Sequence, residues 1–145
     1  MITLSYLMDY PMITIMINEE KCPFCIENGL VRGTVLYEDD LWYYQQYNDG
    51  ELRGGGMIIT KRHIVTPFEI NEKEWCALRT LLPTFKAFVD KHNPDGYNLG
   101  WNILPDAGQN VAHAHLHIFP RLSTEPLATK GIRYAFKQPS NKRIL

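Results

Sequence analysis

Five short segments of this chain are apolar or alternate between apolar and polar residues, which is the pattern of β-strands. In chain order these segments are Gly33–Glu38, Leu41–Tyr47, Met57–Thr60, Tyr97–Leu104 and Ala112–Pro120. Asp39-Asp40 joins the first two, which are rich in β-branched and aromatic residues and therefore predict a hairpin. Asn48–Gly56 contains Asn-Asp-Gly and three consecutive glycines, so we expect a turn or a mobile loop before the third strand.

One longer segment repeats apolar residues at helical spacing and predicts the main α-helix. The repeating residues are Trp75, Leu78, Leu82, Phe85 and Val89. Asn71 is the expected N-cap, with Glu74 at the third helical position, and His92–Gly96 ends the helix. Pro83 lies inside the run, so we expect a kink or a break there. Several strands with one main helix predict an α+β domain built on an antiparallel β-sheet.

The length of 145 residues fits one domain, 1–145, that is large enough to bury a core. We interpret 1–17 as an N-terminal extension, or as an extra edge strand around Met12–Ile17. The tail over 122–145 has no clear periodicity. Within it, Gly131–Tyr134 either folds back over the functional site or lies on the surface.

Composition argues against a nucleic-acid-binding protein and against a membrane protein. The formal net charge is −1, which provides neither a basic surface nor a polybasic anchor. No apolar run reaches the ~20 residues that span a bilayer. The apolar N-terminus lacks a basic start and is interrupted by Asp9 and Pro11, so it is a poor signal peptide. Three cysteines do not make a disulfide framework, and the cytoplasm is the expected compartment.

Three of the five histidines, His113, His115 and His117, alternate with apolar residues in the last predicted strand. Alternate residues of a strand lie about 6.6 Å apart on one face, so the three imidazoles share a face. A single histidine in a strand is usually a surface residue or a hydrogen-bonded core residue. Three in register, after Gly108-Gln109 and before Pro120-Arg121, instead favour metal binding, phosphate binding or nucleophilic chemistry.

Cys22 and Cys25, in Cys-Pro-Phe-Cys, form a second group, because a C-x₂-C turn places two thiols on one side. Zinc prefers four such ligands in a tetrahedron, and His63 and the triad histidines are candidates for the other two. Three other interpretations stay open. The cysteines could be a redox pair, although no βαβ context is predicted, or thiols without a function. All three histidines of the row could hold a catalytic metal, although a straight row presents them poorly. Cys76, on the helix, is expected in the core.

The segment from Asn102 to Arg121 resembles the signature of the histidine-triad (HIT) nucleotide hydrolases and transferases. That signature is an Asn, then Gly-Gln, then His-x-His-x-His with apolar spacers. The Pro-Arg ending is more similar to the bacterial HIT hydrolases and to the fragile-histidine-triad branch than to the short phosphoramidase branch. The similarity runs from Cys22 to Arg121, most of the chain. It implies a HIT-like fold, with a short helix beside the main one, and a homodimer.

The resemblance also implies a metal site. In HIT relatives that carry zinc, the ligands come from a C-x₂-C pair, a histidine after a strand and the first triad histidine. Those positions match Cys22, Cys25, His63 and His113 in this chain. We therefore expect one structural zinc ion per chain, in a closed site with no open position for water.

The triad implies an enzymatic mechanism in which the middle histidine, His115, is the nucleophile. Its neutral imidazole attacks an α-phosphorus and forms a nucleotidyl-histidine intermediate, which water resolves to a nucleoside monophosphate. Asn102, Gln109, Asn110 and His117 are the residues expected to bind the phosphate with His115. The expected substrates are dinucleoside polyphosphates or nucleoside phosphoramidates. The alternatives are a nucleotidyltransferase with an acceptor other than water, and a nucleotide-binding regulatory protein with little turnover.

Three positions depart from the HIT pattern. Asn110 stands where many relatives have Ser or Thr, and an amide is no practical proton source for a leaving amine. Tyr47-Asn48-Asp49 lies where relatives hold the ribose, and Gly54-Gly55-Gly56 lies where they often read Gly-His. For the base we expect a purine, in an apolar cleft built from the hairpin aromatics Trp42–Tyr44 and the segment after Cys25.

Overall fold

A five-stranded antiparallel sheet is the frame of the molecule in the computed structural model, which describes residues 19–48 and 50–144. The strands are β1 Thr34–Glu38, β2 Trp42–Gln46, β3 Gly56–Thr60, β4 Gly96–Trp101 and β5 His115–Arg121. Their order in the sheet is β1-β2-β3-β5-β4. The helices are α1 Glu72–Asp90 and the short α2 Arg133–Phe136, with 3₁₀ turns at Glu19–Lys21, Ile26–Asn28, Pro67–Glu69, Pro105–Ala107 and Pro139–Asn141. The predicted α+β class, with one main helix, is confirmed.

The predicted hairpin forms between β1 and β2. The carboxylate of Asp39 accepts hydrogen bonds from the backbone N–H groups of Leu41 and Trp42, both at 2.8 Å, and so closes the turn. β5 starts at His115, three residues later than the alternation predicts. The reason is that the N–H group of Ala114 donates to the carbonyl of Ile64 at 2.7 Å, beyond the end of β3.

The helix α1 begins at the predicted cap. The side chain of Asn71 accepts a hydrogen bond from the N–H group of Glu74, and the Glu74 carboxylate accepts one from the N–H group of Asn71, both at 2.9 Å. The break expected at Pro83 does not occur, and the helix continues to Asp90. Pro83 is exposed. Water can therefore bond the carbonyl that loses its partner to the missing N–H group.

The core lies between α1 and one face of the sheet. Its buried residues are Trp42, Tyr44, Ile58, Ile64, Ile70, Leu78, Phe85, Val89, Ala114, Leu116 and Ile118. The last three alternate with the histidines, so the histidines face the other side of the sheet, as predicted. The expectation that Cys76 is in the core is wrong, because its side chain is exposed. Cys76 precedes the buried Leu78 by two positions, about 200° around the helix.

The tail folds back against the sheet. A Cβ atom at Gly100 of β4 would lie 3.2 Å from Cδ1 of Ile132, so the tail packs closely on that strand. Gly131–Tyr134 meets both predictions, since Ile132 lines the cavity on this face of the sheet and all four residues are exposed. The extra strand predicted around Met12–Ile17 lies outside the described residues. No helix in the described part of the chain combines the length and the apolar character that crossing a membrane requires.

Candidate functional site

The histidine-bearing face of β5 borders a cavity of about 510 Å³. This volume is in the range of about 300–1,000 Å³ that small-molecule sites occupy. Its polar lining consists of Asn98, Asn102, Asn110, His115 and His117. The rest of the lining includes Phe24, Tyr47, Leu52, Met57, Leu99, Trp101, Val111, Phe119 and Ile132. Four of the residues predicted to bind a phosphate therefore line one cavity, although they come from three different segments of the chain.

Hydrogen bonding selects the tautomer of His115. Its Nδ1 lies 2.6 Å from the carbonyl oxygen of His113. A carbonyl can only accept, so Nδ1 carries the hydrogen and Nε2 keeps its lone pair. Burial lowers the pKa of His115, and the bond to the carbonyl only partly opposes that effect. The ring is therefore neutral near pH 7, with Nε2 available as a nucleophile.

His117 pairs with Tyr47, which the sequence indicated only as part of the expected ribose segment. The hydroxyl of Tyr47 lies 2.8 Å from Nδ1 of His117. The Tyr47 ring also stacks on Phe119, with ring centroids 5.6 Å apart and an interplanar angle of 6°. Burial, with a further contribution from His115, lowers the pKa of His117 to about 4. His117 is therefore neutral. Tyr47, which directly follows β2, fixes the orientation of its ring.

Gln109 is the one predicted phosphate-binding residue that does not line the cavity. Its side chain is buried, and both ends are hydrogen-bonded to the backbone. Oε1 accepts from the N–H group of Leu104 at 2.7 Å, and Nε2 donates to the carbonyl of Val65 at 2.8 Å. Leu104 has φ +67° and ψ 161°, a positive-φ backbone conformation that is rare for a residue with a bulky side chain. Gln109 thus braces the loop that carries Asn110.

The aromatic residues expected around the base are in the wrong part of the fold for that role. Trp42, Tyr43 and Tyr44 are all buried in the two hydrophobic clusters of the described residues, and the Tyr43 hydroxyl donates to the carbonyl of Phe24 at 2.7 Å. The alternation of β2 places these side chains on both faces of a sheet that is covered on both sides. The aromatic surface of the cavity instead includes Phe24, Tyr47 and Phe119.

The glycine run next to the cavity has a packing reason. A Cβ atom at Gly55 would lie 2.4 Å from the Phe119 ring, and one at Gly56 would lie 2.4 Å from the hydroxyl of Tyr44. Both distances are too short for a side chain to fit without displacing an aromatic ring. The departure from the Gly-His pattern therefore lets β3 lie directly against these two rings.

A second cluster lies on the other side of His115, where Cys22, Cys25, His63 and His113 offer ligand atoms that all lie within 4.8 Å of one another. Sγ of Cys25 is 3.1 Å from Nδ1 of His63, and Sγ of Cys22 is 3.4 Å from Nδ1 of His113. The structure thus brings together all four residues predicted as ligands. The cluster could hold a metal ion.

The groups around the cluster fit a cation. Nε2 of His113 donates to the carbonyl of Thr60 at 2.7 Å, which leaves the lone pair of Nδ1 facing the sulfurs. Nε2 of His63 is buried and has no hydrogen-bond partner among the described residues. Burial, followed by the neighbouring Cys22, raises the pKa of Cys25 to about 12, so its thiolate would need a bound cation to persist near pH 7. Two sulfurs and two imidazoles are a set that zinc accepts.

The cluster also decides against one of the alternative interpretations. His115 and His117 line the cavity, and only His113 of the row contacts the thiols. The row therefore divides its side chains between two sites and does not present three converging ligands. Phe24, inside the C-x₂-C turn, links the sites, because its ring meets His115 edge to face with centroids 5.0 Å apart.

Comparison with known proteins agrees with this geometry. Residues 29–124 match the HIT domain. An uncharacterised HIT-like protein of Methanocaldococcus jannaschii is 33% identical over 103 residues, which cover 69% of this chain and 78% of that protein. An adenylylsulfatase of Arabidopsis thaliana is 31% identical over 79% of this chain, which spans 60% of the plant protein. Among solved structures, a HIT family member from Bacillus subtilis superposes with a TM-score of 0.64 at 30% identity, covering 72% of this chain and 76% of its own.

Proposed function

The chain belongs to the HIT family, and on this premise we propose that it is a nucleotide hydrolase that forms a covalent nucleotidyl-histidine at His115. The observation that carries the proposal is the bond between Nδ1 of His115 and the His113 carbonyl, which leaves Nε2 unprotonated at the cavity. The similarity to an adenylylsulfatase of Arabidopsis thaliana also supports a hydrolase. The substrates that we propose carry a P–O–P or a P–N bond.

The reaction has two displacements. In the first, Nε2 of His115 supplies the electron pair of a new P–N bond, and the bond from the α-phosphorus to the leaving group breaks, so that the leaving atom takes the bonding pair. In the second, water attacks the phosphorus and the pair of the P–N bond returns to Nε2. The products are a nucleoside monophosphate, a neutral imidazole and one proton released to solvent.

The other polar side chains of the cavity meet the charge that develops on phosphorus. Asn102 and Asn110 are exposed amides that can donate to phosphate oxygens. If the Tyr47 hydroxyl donates to Nδ1 of His117, the imidazole carries its own hydrogen on Nε2 and donates as well. None of these groups readily supplies a proton to a leaving amine. Substrates with a phosphate leaving group, which departs as an anion, are therefore expected to react faster.

The cluster of Cys22, Cys25, His63 and His113 is proposed to hold one zinc ion per chain. Zinc bound there contributes folding energy and no open coordination position. Its effect on the hydrolysis would be positional, because His113 would be a ligand and its carbonyl is the acceptor that orients His115.

For the nucleoside we propose a purine against the apolar side of the cavity. Phe24, Leu52 and Phe119 provide that surface, in place of the hairpin aromatics. Equal affinity for AMP, UMP and ribose 5-phosphate would show that the base is not recognised. The homodimer belongs to the same proposal, and light scattering from the purified chain tests it.

The test of the function is a panel of substrates with radiolabelled adenylyl groups. After each reaction the label that stays on the protein is measured, and its stability in acid is determined. We expect rapid release of AMP from diadenosine polyphosphates and a transient, acid-labile label that His115→Ala abolishes. The near-isosteric His115→Gln separates loss of the nucleophile from loss of packing. Turnover of His115→Ala at the wild-type rate would refute the mechanism. AMP transfer to an added alcohol would indicate the transferase, and tight AMP binding without turnover would indicate the regulatory protein.

A further inference from the structure

The tail that follows β5 carries a charge that the rest of the chain does not share. The 20 residues after Glu125 contain five Lys or Arg residues and no Asp or Glu, although the formal net charge of the whole chain is −1. The described part of this tail is held in place by Arg121. Its guanidinium donates to the carbonyls of Leu127 and Lys130, at 2.7 and 2.9 Å, and to the side chains of Asn98 and Glu125. The tail therefore has a defined position beside the sheet.

This tail encloses a second cavity of about 350 Å³. Three of its lining side chains are cations, Lys130, Arg133 and Lys137, and all three are exposed. Lys130 lies over the ring of Tyr134, at 5.6 Å from the centroid. Arg133 and Lys137 form no ion pair with an acidic group of the described residues. Uncompensated cations around a cavity favour an anion.

The basic cavity adjoins the nucleotide cavity. Ile132 lines both, and it packs on Gly100 of the strand beside β5. In-line attack by His115 directs the leaving group to the side of the phosphorus opposite the imidazole. Because the two cavities share Ile132, a leaving group long enough to pass that side chain would enter the cavity that the cations line. A second phosphate or a chain of phosphates matches them best, because charge-assisted hydrogen bonds to phosphate oxygens are the strongest that Lys and Arg make.

We propose that the basic cavity of Lys130, Arg133 and Lys137 is a subsite for a phosphate chain in the leaving group of the nucleotidyl substrate. The inference rests on the proposed function and deepens it, because it selects polyphosphates over neutral leaving groups. When the bond at the α-phosphorus breaks, the leaving oxygen takes the bonding pair and departs as a terminal phosphate oxyanion. The cations stabilise that charge without supplying a proton. This agrees with the absence of a proton donor at Asn110.

The test compares two double variants that each remove two positive charges from the tail. Arg133→Gln/Lys137→Gln alters the cavity, and Lys142→Gln/Arg143→Gln is the matched control outside it. The substrates are diadenosine tetraphosphate and adenosine 5′-phosphorimidazolide. The imidazolide shares the nucleotide, but its imidazole, protonated by solvent on the outer ring nitrogen, takes the P–N bonding pair and departs neutral. We expect the cavity variant to have an about tenfold higher KM for the tetraphosphate, with a smaller increase at high salt. Its KM for the imidazolide should equal that of the wild type. The control variant should leave both unchanged.

Direct binding separates this inference from the proposed function. Calorimetry with inorganic tripolyphosphate needs no turnover, so it decides the matter even if the protein hydrolyses neither substrate. We expect binding to wild type and to the control variant, and about tenfold weaker binding to the cavity variant. Equal binding to both variants, or an equal loss for the two substrates, overturns the subsite.

Discussion

Replacing Gln109 with Met is expected to destabilise the protein before any substrate is added. The two side chains have similar length and volume, so packing is largely kept. The substitution removes the acceptor for the N–H group of Leu104 and the donor for the carbonyl of Val65. A residue that only bound phosphate would leave the stability of the free protein unchanged, so the measurement separates the two roles.

The size of the effect follows from the two groups that lose their partners. A buried backbone group without a hydrogen bond costs about 1–3 kcal/mol. Val65 is buried and Leu104 is half-buried, so the upper and lower parts of that range apply, respectively. Leu104 must also keep its φ of +67° with one restraint fewer. We expect a loss of about 3 kcal/mol in the free energy of unfolding, which lowers Tm by roughly 10 °C in a chain of this length.

Urea unfolding of the ligand-free protein is the assay, with Gln138→Met as the matched control. The amide of Gln138 also donates to a backbone carbonyl, that of Tyr134 at 2.9 Å, but in an exposed position. Its replacement should cost less than about 0.5 kcal/mol. Our account of Gln109 is refuted if both variants unfold at the wild-type urea concentration while Gln109→Met alone loses nucleotide binding.

Three further predictions concern the orientation of His117, the metal and the anchoring of α1. Tyr47→Phe removes the hydroxyl that holds His117, so it should lower kcat/KM about tenfold and the free energy of unfolding by only about 1 kcal/mol. Tyr37→Phe, whose hydroxyl bonds to Asp39, should leave kcat/KM unchanged. Protein purified without added metal should contain one equivalent of zinc per chain. Cys22→Ser should lose the zinc and melt at a lower temperature, whereas Cys76→Ser should do neither. Less than about a tenth of an equivalent of zinc in the wild type, with unchanged melting of Cys22→Ser, would mean that the cysteines are ordinary thiols. The Arg62 guanidinium, followed by the N–H group of Asn71, holds the pKa of Glu74 below its usual value. The ionised Glu74 carboxylate therefore stabilises the folded protein fully at any pH above its usual pKa, and this stabilisation is lost as the pH falls through the lowered pKa. The difference in unfolding free energy between wild type and Glu74→Gln, about 2 kcal/mol at pH 7, should therefore shrink between pH 5 and pH 3. A difference that stays constant with pH would contradict this explanation. So would an equal difference for the exposed control Glu72→Gln.

Features that depend on neighbours in the chain could be predicted from the sequence. The hairpin turn at Asp39, the cap at Asn71 and the side of the sheet on which the histidines lie each follow from interactions within four residues. The proximity of Cys22, Cys25, His63 and His113 was also predicted, but by resemblance to a family and not by spacing, since they are up to 91 positions apart. The start of β5 was misplaced because the alternation continues past the point where β3 ends.

Tertiary structure decided which groups from distant parts of the chain meet. Tyr47 and His117 are 70 positions apart, and Gln109 and Val65 are 44 apart. No local pattern indicates either contact. The hairpin aromatics have the composition of a binding surface, yet the core covers both of their faces and leaves Phe24 and Phe119 at the cavity. The reason is physical: alternation determines on which face of a strand a side chain lies, whereas burial and pairing depend on the elements that pack against that face.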